Sequence, residues 1–172
     1  KTRRVLAQLR FDLIANKFYE KKKLVEMDIA QLYGVSRGSI RTACTVLEKE
    51  GLIRTLSNGT KEAIEVTQAF VSDIFDVRCL LECRAIEIII NKKTMNYGPM
   101  LQIIDTLNTY EHRNASNEDY SKLDIDFHRA LISVSGNRAL LQSWEVTSQL
   151  MFSLLTYNAD ESYMKEYAET FY

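Results

Sequence analysis

Two short helical patterns meet at Gly34, and this junction constrains the fold more than any other feature of the sequence. The first pattern, LVEMDIAQLYG, starts at residue 24, and a glycine suits the left-handed residue that ends a helix. The second, VSRGSIRTACTVLEKEG, has Ser36 as its predicted N-cap and Gly51 as its end. The predicted inward-facing residues are Val25, Ile29, Ala30 and Leu32 in the first helix and Ile40, Ala43, Cys44 and Leu47 in the second. Two helices joined so closely predict a helix-turn-helix.

The flanking segments extend this motif. Residues 3–16, RRVLAQLRFDLIAN, have apolar residues at helical spacing and predict a preceding helix, and FYEKKKL is interpreted as a polar connection. After the second helix, LIRTL, SNGT and KEAIEV predict a strand, an Asn-Gly hairpin turn and a second strand. Residues 1–66 are therefore predicted to form a winged helix-turn-helix DNA-binding domain.

From Thr67 onward only helical patterns remain. We predict helices at about 68–92, 97–113, 117–134, 137–157 and 160–172, with Asn117 and Asn137 as caps. A single proline and six glycines agree with long helices. The predicted fold class is mainly α, with an N-terminal winged helix-turn-helix followed by an all-α helical bundle over residues 67–172.

Charge divides the chain at the same place. Residues 1–66 carry 13 Lys and Arg against 8 Asp and Glu, a net charge of +5, whereas residues 67–172 carry 9 against 15, a net charge of −6. A basic front favours a polyanionic partner. No run approaches the ~20 apolar residues of a membrane span. Cys44, Cys79 and Cys83 lack metal or redox spacing and are predicted to be buried, reduced thiols of a cytoplasmic protein.

The second helix of the motif has the side chains of a recognition helix. Arg37 and Arg41 are four residues apart, so they project from one side, opposite the apolar stripe, and arginine suits guanine and phosphate contacts. The alternative is a solvated cationic face in a domain of another purpose. The predicted DNA-binding residues are Ser36, Arg37, Ser39, Arg41 and Thr42 on the helix and Asn58, Gly59, Thr60 and Lys61 in the hairpin.

These residues resemble a known family. The segment LVEMDIAQLYGVSRGSIRTACTVLEKEGLI, with its GVSR, Arg41 and EGLI, is similar to the DNA-binding domain of the GntR family of bacterial transcription regulators. The resemblance implies that Ser36, Arg37 and Arg41 contact DNA, with Asn58 and Gly59 at the wing. The chain departs from the family pattern at Glu20-Lys21-Lys22, where Pro-Gly is common, and at Gly38-Ser39, where Thr-Pro is common.

The second half resembles the FCD effector-binding domain. DIFDVRCLLECRAIEIII is similar to that domain's first helix, and DIDFHRALISVSGNRALL to its Asp-x-x-x-His helix followed by Gly-Asn. Asp124 and His128 are four residues apart on one helix face, and a carboxylate with an imidazole suits Zn²⁺ or another first-row divalent ion. In the FCD family two further histidines complete a metal site. The matching positions are not filled here, because the other histidine, His112, lies on an earlier helix and is interpreted as a favourable charge at its C-terminus.

Three interpretations of the Asp-His pair stay open: a chain cut short of its remaining ligands, a degenerate site that contacts an organic effector, or a structural pair. Two ligands cannot hold zinc tightly, so metal binding by these 172 residues is predicted to be weak or absent. Arg78 is predicted to meet the carboxylate of an acidic effector, with an Arg78–Glu82 bridge as the alternative. Asn137 is a helix cap that could border the effector cavity. Trp144, Met151, Phe152 and Leu155 are expected in the core.

The sequence thus predicts a transcription regulator that is not an enzyme. A homodimer would place two winged helices on a palindromic double-stranded operator, and a small organic acid, a divalent metal or both would control its affinity. The alternative is a metal-dependent enzyme or metal sensor built on the helical bundle. The sequence has no Ser-His-Asp order, no glycine-rich phosphate loop and no HExxH to support the enzyme.

Overall fold

A computed structural model of the chain describes residues 2–19, 23–92, 96–110 and 115–160. Within these ranges it has seven helices and one small sheet, which confirms the mainly α fold class. The chain divides into two compact units, an N-terminal unit, Lys1–Val71, and a C-terminal unit, Ser72–Tyr172. The helix predicted at 160–172 lies almost entirely outside the described residues, as do His112 and the departure at residues 20–22.

The N-terminal unit follows the predicted order of a winged helix. Its elements are α1 (Thr2–Ile14), β1 (Lys23–Leu24), α2 (Glu26–Tyr33), α3 (Arg37–Lys49), β2 (Ile53–Thr55) and β3 (Lys61–Ala63). Gly34 ends α2 with a φ of 63°, the left-handed conformation that the sequence predicted, and Gly51 follows α3, as predicted, with a φ of 77°.

The predicted hairpin is present, and a strand missed by the sequence interpretation joins it. β2 pairs antiparallel with β3, opposing Ile53 to Ala63 and Thr55 to Lys61. The interpretation of FYEKKKL as a plain connection was wrong at its end, because Lys23 and Leu24 form β1 and pair with the other edge of β3. The sheet order β1-β3-β2 therefore fixes the chain just before α2 beside the wing.

The core of the N-terminal unit forms between α1, α3 and the sheet. The predicted stripe of α3, from Ile40 to Leu47, is fully buried, and Leu9 and Leu13 of α1 pack with it. The prediction for α2 was partly wrong: Ile29 and Ala30 are buried, but Val25 and Leu32 are exposed. A helix of only eight residues that packs on α3 buries one narrow face, and the rest of its apolar stripe faces solvent.

In the second half of the chain the helices are α4 (Gln68–Ile90), α5 (Gly98–Tyr110), α6 (Asn117–Val134) and α7 (Arg138–Asp160). The cap predicted at Asn117 was wrong: Ser116 is the N-cap, and its side chain and that of Asp119 form a reciprocal capping box. Asn137 is confirmed as a cap of α7, since its Oδ1 accepts bonds from the backbone N–H of Ala139 and Leu140 at 3.0 and 3.2 Å.

The core of the C-terminal unit lies among α4, α6 and α7. Trp144 and Met151 are fully buried in a cluster with Ala85, Ile125 and Ile132, and Phe152 and Leu155 pack against it, as predicted. All three cysteines are free, but only Cys44 is buried; Cys79 and Cys83 lie exposed on α4 with their sulfurs 3.8 Å apart. Across the part of the chain with described structure, no helix is long and apolar enough to cross a bilayer.

Candidate DNA interface and buried charge cluster

The N-terminus of α3 is organised by hydroxyl groups. Ser36 Oγ accepts a bond from the backbone N–H of Ser39 at 3.2 Å and lies 2.9 Å from Ser39 Oγ, which confirms Ser36 as the N-cap. Thr42 Oγ1 donates to the carbonyl of Gly38 at 3.0 Å. These bonds occupy the hydroxyls predicted to reach DNA, although Ser36 and Thr42 remain exposed.

The two arginines of α3 share one carboxylate. Arg37 Nε donates to Glu26 Oε2 at 3.0 Å, while Arg41 donates through Nη2 to Oε2 at 3.2 Å and through Nε to Oε1 at 3.3 Å. Glu26 is the first residue of α2. The hydrogen bond from Arg41, reinforced by Arg37, holds the pKa of Glu26 below its ordinary value. Both guanidinium groups are therefore held in place on the exposed face of α3.

The wing turn is held by its own bonds. Asn58 Oδ1 accepts from the backbone N–H of Thr60 at 3.0 Å, and Gly59 turns the chain with a φ of 79°. Lys61 was predicted as a DNA-binding cation, but its Nζ donates to Glu48 Oε2 of α3 at 3.0 Å and to Thr55 Oγ1 at 2.9 Å. In this arrangement Lys61 links the wing to the recognition helix.

These elements surround one concavity, which we call the wing groove. It has a volume of about 400 Å³ and is lined by residues 23–27, by Arg37 and Arg41, and by residues 59–61. The groove brings together predicted residues of α3 and the wing. The sequence analysis did not predict that Lys23 and Glu26 line the groove. Their position depends on the pairing of β1 with β3, which the periodicity of α2 does not predict.

A second set of charged side chains lies inside the C-terminal unit and is named here the buried charge cluster. Arg78 and Glu82 of α4 form an ion pair at 2.9 Å, so the predicted alternative, an Arg–Glu bridge, is present. Arg78 Nη2 also lies 3.0 Å from Asp124 Oδ2 of α6. His128 Nδ1 lies 2.8 Å from Glu82 Oε1, and its Nε2 lies 3.5 Å from Asp124 Oδ1. Two carboxylates therefore alternate with one guanidinium and one imidazole.

The cluster sets the ionisation of its members. Burial alone would lower the pKa of His128, but the bonds to Asp124 and Glu82 outweigh burial and raise it. Burial would raise the pKa of Asp124 and of Glu82, but His128 and Arg78 hold both below their ordinary values. The contacts of the buried atoms Asp124 Oδ2 and His128 Nδ1 are ion pairs, with Arg78 at 3.0 Å and with Glu82 at 2.8 Å.

The predicted metal ligands Asp124 and His128 are neighbours, but the described residues do not complete a metal site. No group of three His, Cys, Asp or Glu side chains within them is arranged to hold an ion. The guanidinium of Arg78 already neutralises Asp124 Oδ2, in competition with any cation. Two ligands beside an arginine do not fit a tightly held Zn²⁺, which takes at least three protein ligands.

A cavity of about 340 Å³ opens between α5 and α6 and has Asp124 in its wall. Its wall is apolar apart from that carboxylate and the phenol of Tyr120, and it is formed by Ile103, Ile104, Leu107, Tyr120, Leu123, Asp124 and Phe127. Asp124 therefore belongs to both the buried charge cluster and the cavity wall. Asn137, the other predicted effector residue, caps α7 and is not among the residues of that wall.

Two known protein families match the chain, one in each of its two parts. The family described as "Bacterial regulatory proteins, gntR family" matches residues 1–60, and the FCD domain family matches residues 73–171, more than half of the chain. The chain is a GntR-family regulator with an FCD domain. The resemblance inferred from GVSR and from the Asp-x-x-x-His helix is thereby confirmed.

Relatives of this GntR regulator include two proteins of Bacillus subtilis. The HTH-type transcriptional regulator YdhC is 26% identical over 170 residues, covering 95% of this chain and 76% of YdhC. The gluconate operon transcriptional repressor is 26% identical over 156 residues, covering 88% of this chain and 62% of the repressor. The chain thus spans less than two thirds of the repressor's length.

Two solved structures share the fold. The Listeria monocytogenes protein Lar has a TM-score of 0.61 at 15% identity, covering 88% of this chain and 72% of Lar. E. coli McbR/YncC has a TM-score of 0.57 at 17% identity, covering 99% of this chain and 82% of that structure. The families and relatives are transcription regulators and not enzymes, so the alternative of a metal-dependent enzyme was wrong.

Proposed function

We propose that this GntR regulator is a cytoplasmic homodimer that binds a palindromic operator and that a small organic acid in the C-terminal unit controls operator affinity. The DNA part is supported by the wing groove, where Arg37 and Arg41 of α3 lie on an exposed face beside the wing. A recognition helix enters the major groove by its N-terminal end, and a two-fold dimer matches two half-sites. In this proposal α3 reads the bases and the wing contacts the adjacent backbone.

The operator can be found by selection. The purified chain is incubated with a random-sequence duplex library, the bound DNA is enriched and sequenced, and affinity for the winning duplex is measured by fluorescence anisotropy. We expect an inverted repeat with half-sites about one helical turn apart and a protein mass of two chains by light scattering. Enrichment of no sequence would contradict operator recognition, and a monomeric mass on DNA would contradict the dimer.

The effector proposal depends on one observation, the double membership of Asp124 in the buried charge cluster and the cavity wall. An acid whose apolar part occupies the cavity would bring its carboxylate to Arg78 in exchange for Asp124, because arginine binds carboxylates by two parallel bonds. Replacement of Asp124 by the ligand carboxylate on Arg78 would shift α6 relative to α4. That shift would couple ligand binding to the arrangement of the dimer.

Short aliphatic monocarboxylic acids are the first probes, with gluconate beside them because a relative is named for the gluconate operon. We expect one acid to change operator affinity, and linkage requires an acid that weakens DNA binding to be bound less tightly by the DNA complex. Arg78→Lys keeps the charge but loses the two-pronged geometry and should abolish the response. Arg84→Lys, an exposed arginine of the same helix paired with Glu87, is the matched control. An undiminished response in Arg78→Lys would contradict the proposed site.

For metal we propose weak binding by this chain, with Asp124 and His128 as its ligands. Two ligands and an adjacent guanidinium support an affinity well below that of a complete zinc site. Calorimetric titration with Zn²⁺, with His128→Gln as the comparison, measures it. A submicromolar dissociation constant that is lost in His128→Gln would contradict the proposal and indicate a complete metal site at the cluster.

A further inference from the structure

We propose that Glu26 is a positioning residue for sequence recognition: it holds Arg37 and Arg41 in the arrangement that specific DNA requires and weakens binding to other DNA. The inference rests on the proposed role of α3 in operator binding. Neither the sequence patterns nor the family matches assign a role to this carboxylate. It begins a different helix, eleven and fifteen residues before the two arginines.

The geometry places one carboxylate between two cationic side chains. Arg41 contacts both oxygens of Glu26, and Arg37 adds a third bond to Oε2. The Glu26 side chain is only 17% exposed, whereas those of Arg37 and Arg41 are 64% and 62% exposed. The carboxylate is therefore fixed at the base of the wing groove while the guanidinium groups project from it.

Ordering two long side chains before DNA binds reduces the conformational entropy that is lost on binding. A free arginine loses rotamer freedom when it orders at an interface, and a side chain that is already ordered loses less. Bidentate contact with a guanine edge also needs the guanidinium plane in one orientation. A carboxylate that sets both positions and both planes therefore favours the sequence whose base edges match that arrangement.

The same carboxylate acts against non-cognate DNA. Binding without base contacts depends on neutralising phosphates with cations, and Glu26 cancels part of the positive charge of the two arginines. Loss of this carboxylate should thus affect the two kinds of binding in opposite directions. Matching DNA should bind more weakly because the arginines are no longer ordered, and mismatched DNA more tightly because the groove is more positive.

The experiment compares three variants of the full chain. Glu26→Gln removes the charge with little change of shape, Glu26→Asp keeps the charge on a shorter side chain, and Asp28→Asn removes a carboxylate from the same first turn of α2. Asp28 is exposed, and none of the ion pairs recorded in the described ranges joins it to either arginine. The probes are the duplex enriched by the wild-type chain and a shuffled duplex of the same composition.

For Glu26→Gln we expect roughly tenfold weaker binding to the enriched duplex and several-fold tighter binding to the shuffled one. Its salt dependence on the shuffled duplex should steepen by about 0.9 in the logarithmic slope, one more neutralised phosphate. Glu26→Asp should recover part of the discrimination, since the shorter carboxylate still reaches one arginine. Asp28→Asn should keep the wild-type ratio of the two affinities.

An equal loss on both duplexes, with a lower melting temperature, would show that Glu26 serves only the fold and would overturn the proposal. The same change of ratio in Asp28→Asn would overturn it as well, because net charge alone would then explain the effect. If the wild-type chain enriches no duplex, the proposed function fails first, and that failure is visible before any variant is made.

Discussion

The arginine–carboxylate assemblies of the wing groove and of the buried charge cluster are built from similar parts in opposite surroundings. At the wing groove, Glu26 joins two arginines that are more than 60% exposed. In the buried charge cluster, the Arg78 side chain is 9% exposed and lies between Glu82 and Asp124. Water screens the first assembly and is largely excluded from the second.

This difference decides what each assembly can do. Exposed ion pairs add little to stability, and the guanidinium groups that Glu26 orients stay accessible to a phosphate or a base. A buried charge that loses its partner keeps the full cost of desolvation, so Arg78 can change partners only for another anion. The first arrangement suits binding of a large external polyanion, and the second suits exchange with a small internal acid.

The largest expected effect is on stability, at the buried cluster. Arg78→Met removes the guanidinium that pairs with Glu82 and Asp124. We expect a loss of about 2–3 kcal/mol, below the full range for a buried pair because Asp124 is partly exposed and His128 still faces both carboxylates. Arg84→Met, on the exposed side of α4, should cost about 0.5 kcal/mol or less. Urea unfolding followed by the fluorescence of Trp144, the single tryptophan, reports this unit. Equal losses in the two variants would remove the distinction between the assemblies.

At the exposed assembly the effect should fall on DNA binding instead. Arg37→Ala and Arg41→Ala should each weaken binding to the enriched duplex about tenfold, and loss of a phosphate contact should reduce the salt slope by about 1. Arg54→Ala is the control, because Arg54 is an exposed arginine of β2 whose partner is Glu62. Unchanged affinity and salt slope in both α3 variants would show that another surface binds DNA.

The sequence predicted features that local spacing determines. The Ser36 cap, the buried stripe of α3, the Asn58-Gly59 turn and the core position of Trp144 follow from residues a few positions apart, and the structure has each of them. The cap at residue 117 was wrong for a related reason. Ser116 and Asn117 are both good caps, and the choice is made by Asp119, which completes the reciprocal bonds of Ser116.

Features that depend on distant parts of the chain were not predictable. β1 is a strand only because β3 lies beside it, and the contact of Glu26 with α3 follows from that pairing. Periodicity predicts one apolar face per helix but not how much of it a neighbour covers. Leu32 is therefore 67% exposed although it is in register with the buried Ile29.

A smaller effect on the buried cluster should appear with pH. The pKa of His128 is raised, so its charged form stabilises the folded unit, fully below the ordinary value of 6.5, and this contribution is lost as the pH rises through the raised value. The groups facing the imidazole are Glu82 and Arg78 from α4 and Asp124 on its own helix. In buffer with a chelator, the urea midpoint reported by Trp144 should fall as the pH rises above about 6.5, and His128→Gln should flatten that dependence. A midpoint that rises with pH would contradict the direction of the shift.

The smallest expected effect is a shift in the pKa of Glu26. This shift tests whether the exposed assembly exists in solution. The pKa of Glu26 should lie below the ordinary value of 4.5, with the hydrogen bonds of Arg41 as its largest cause. Arg41 contacts both carboxylate oxygens and Arg37 only one, so Arg41→Ala should raise the Glu26 pKa more than Arg37→Ala, and Arg54→Ala should leave it unchanged. Titration of the side-chain carboxyl carbon by NMR measures all three. If neither α3 variant moves the Glu26 pKa, the arginines are not held by this carboxylate in solution, and they must be ordered by the DNA itself.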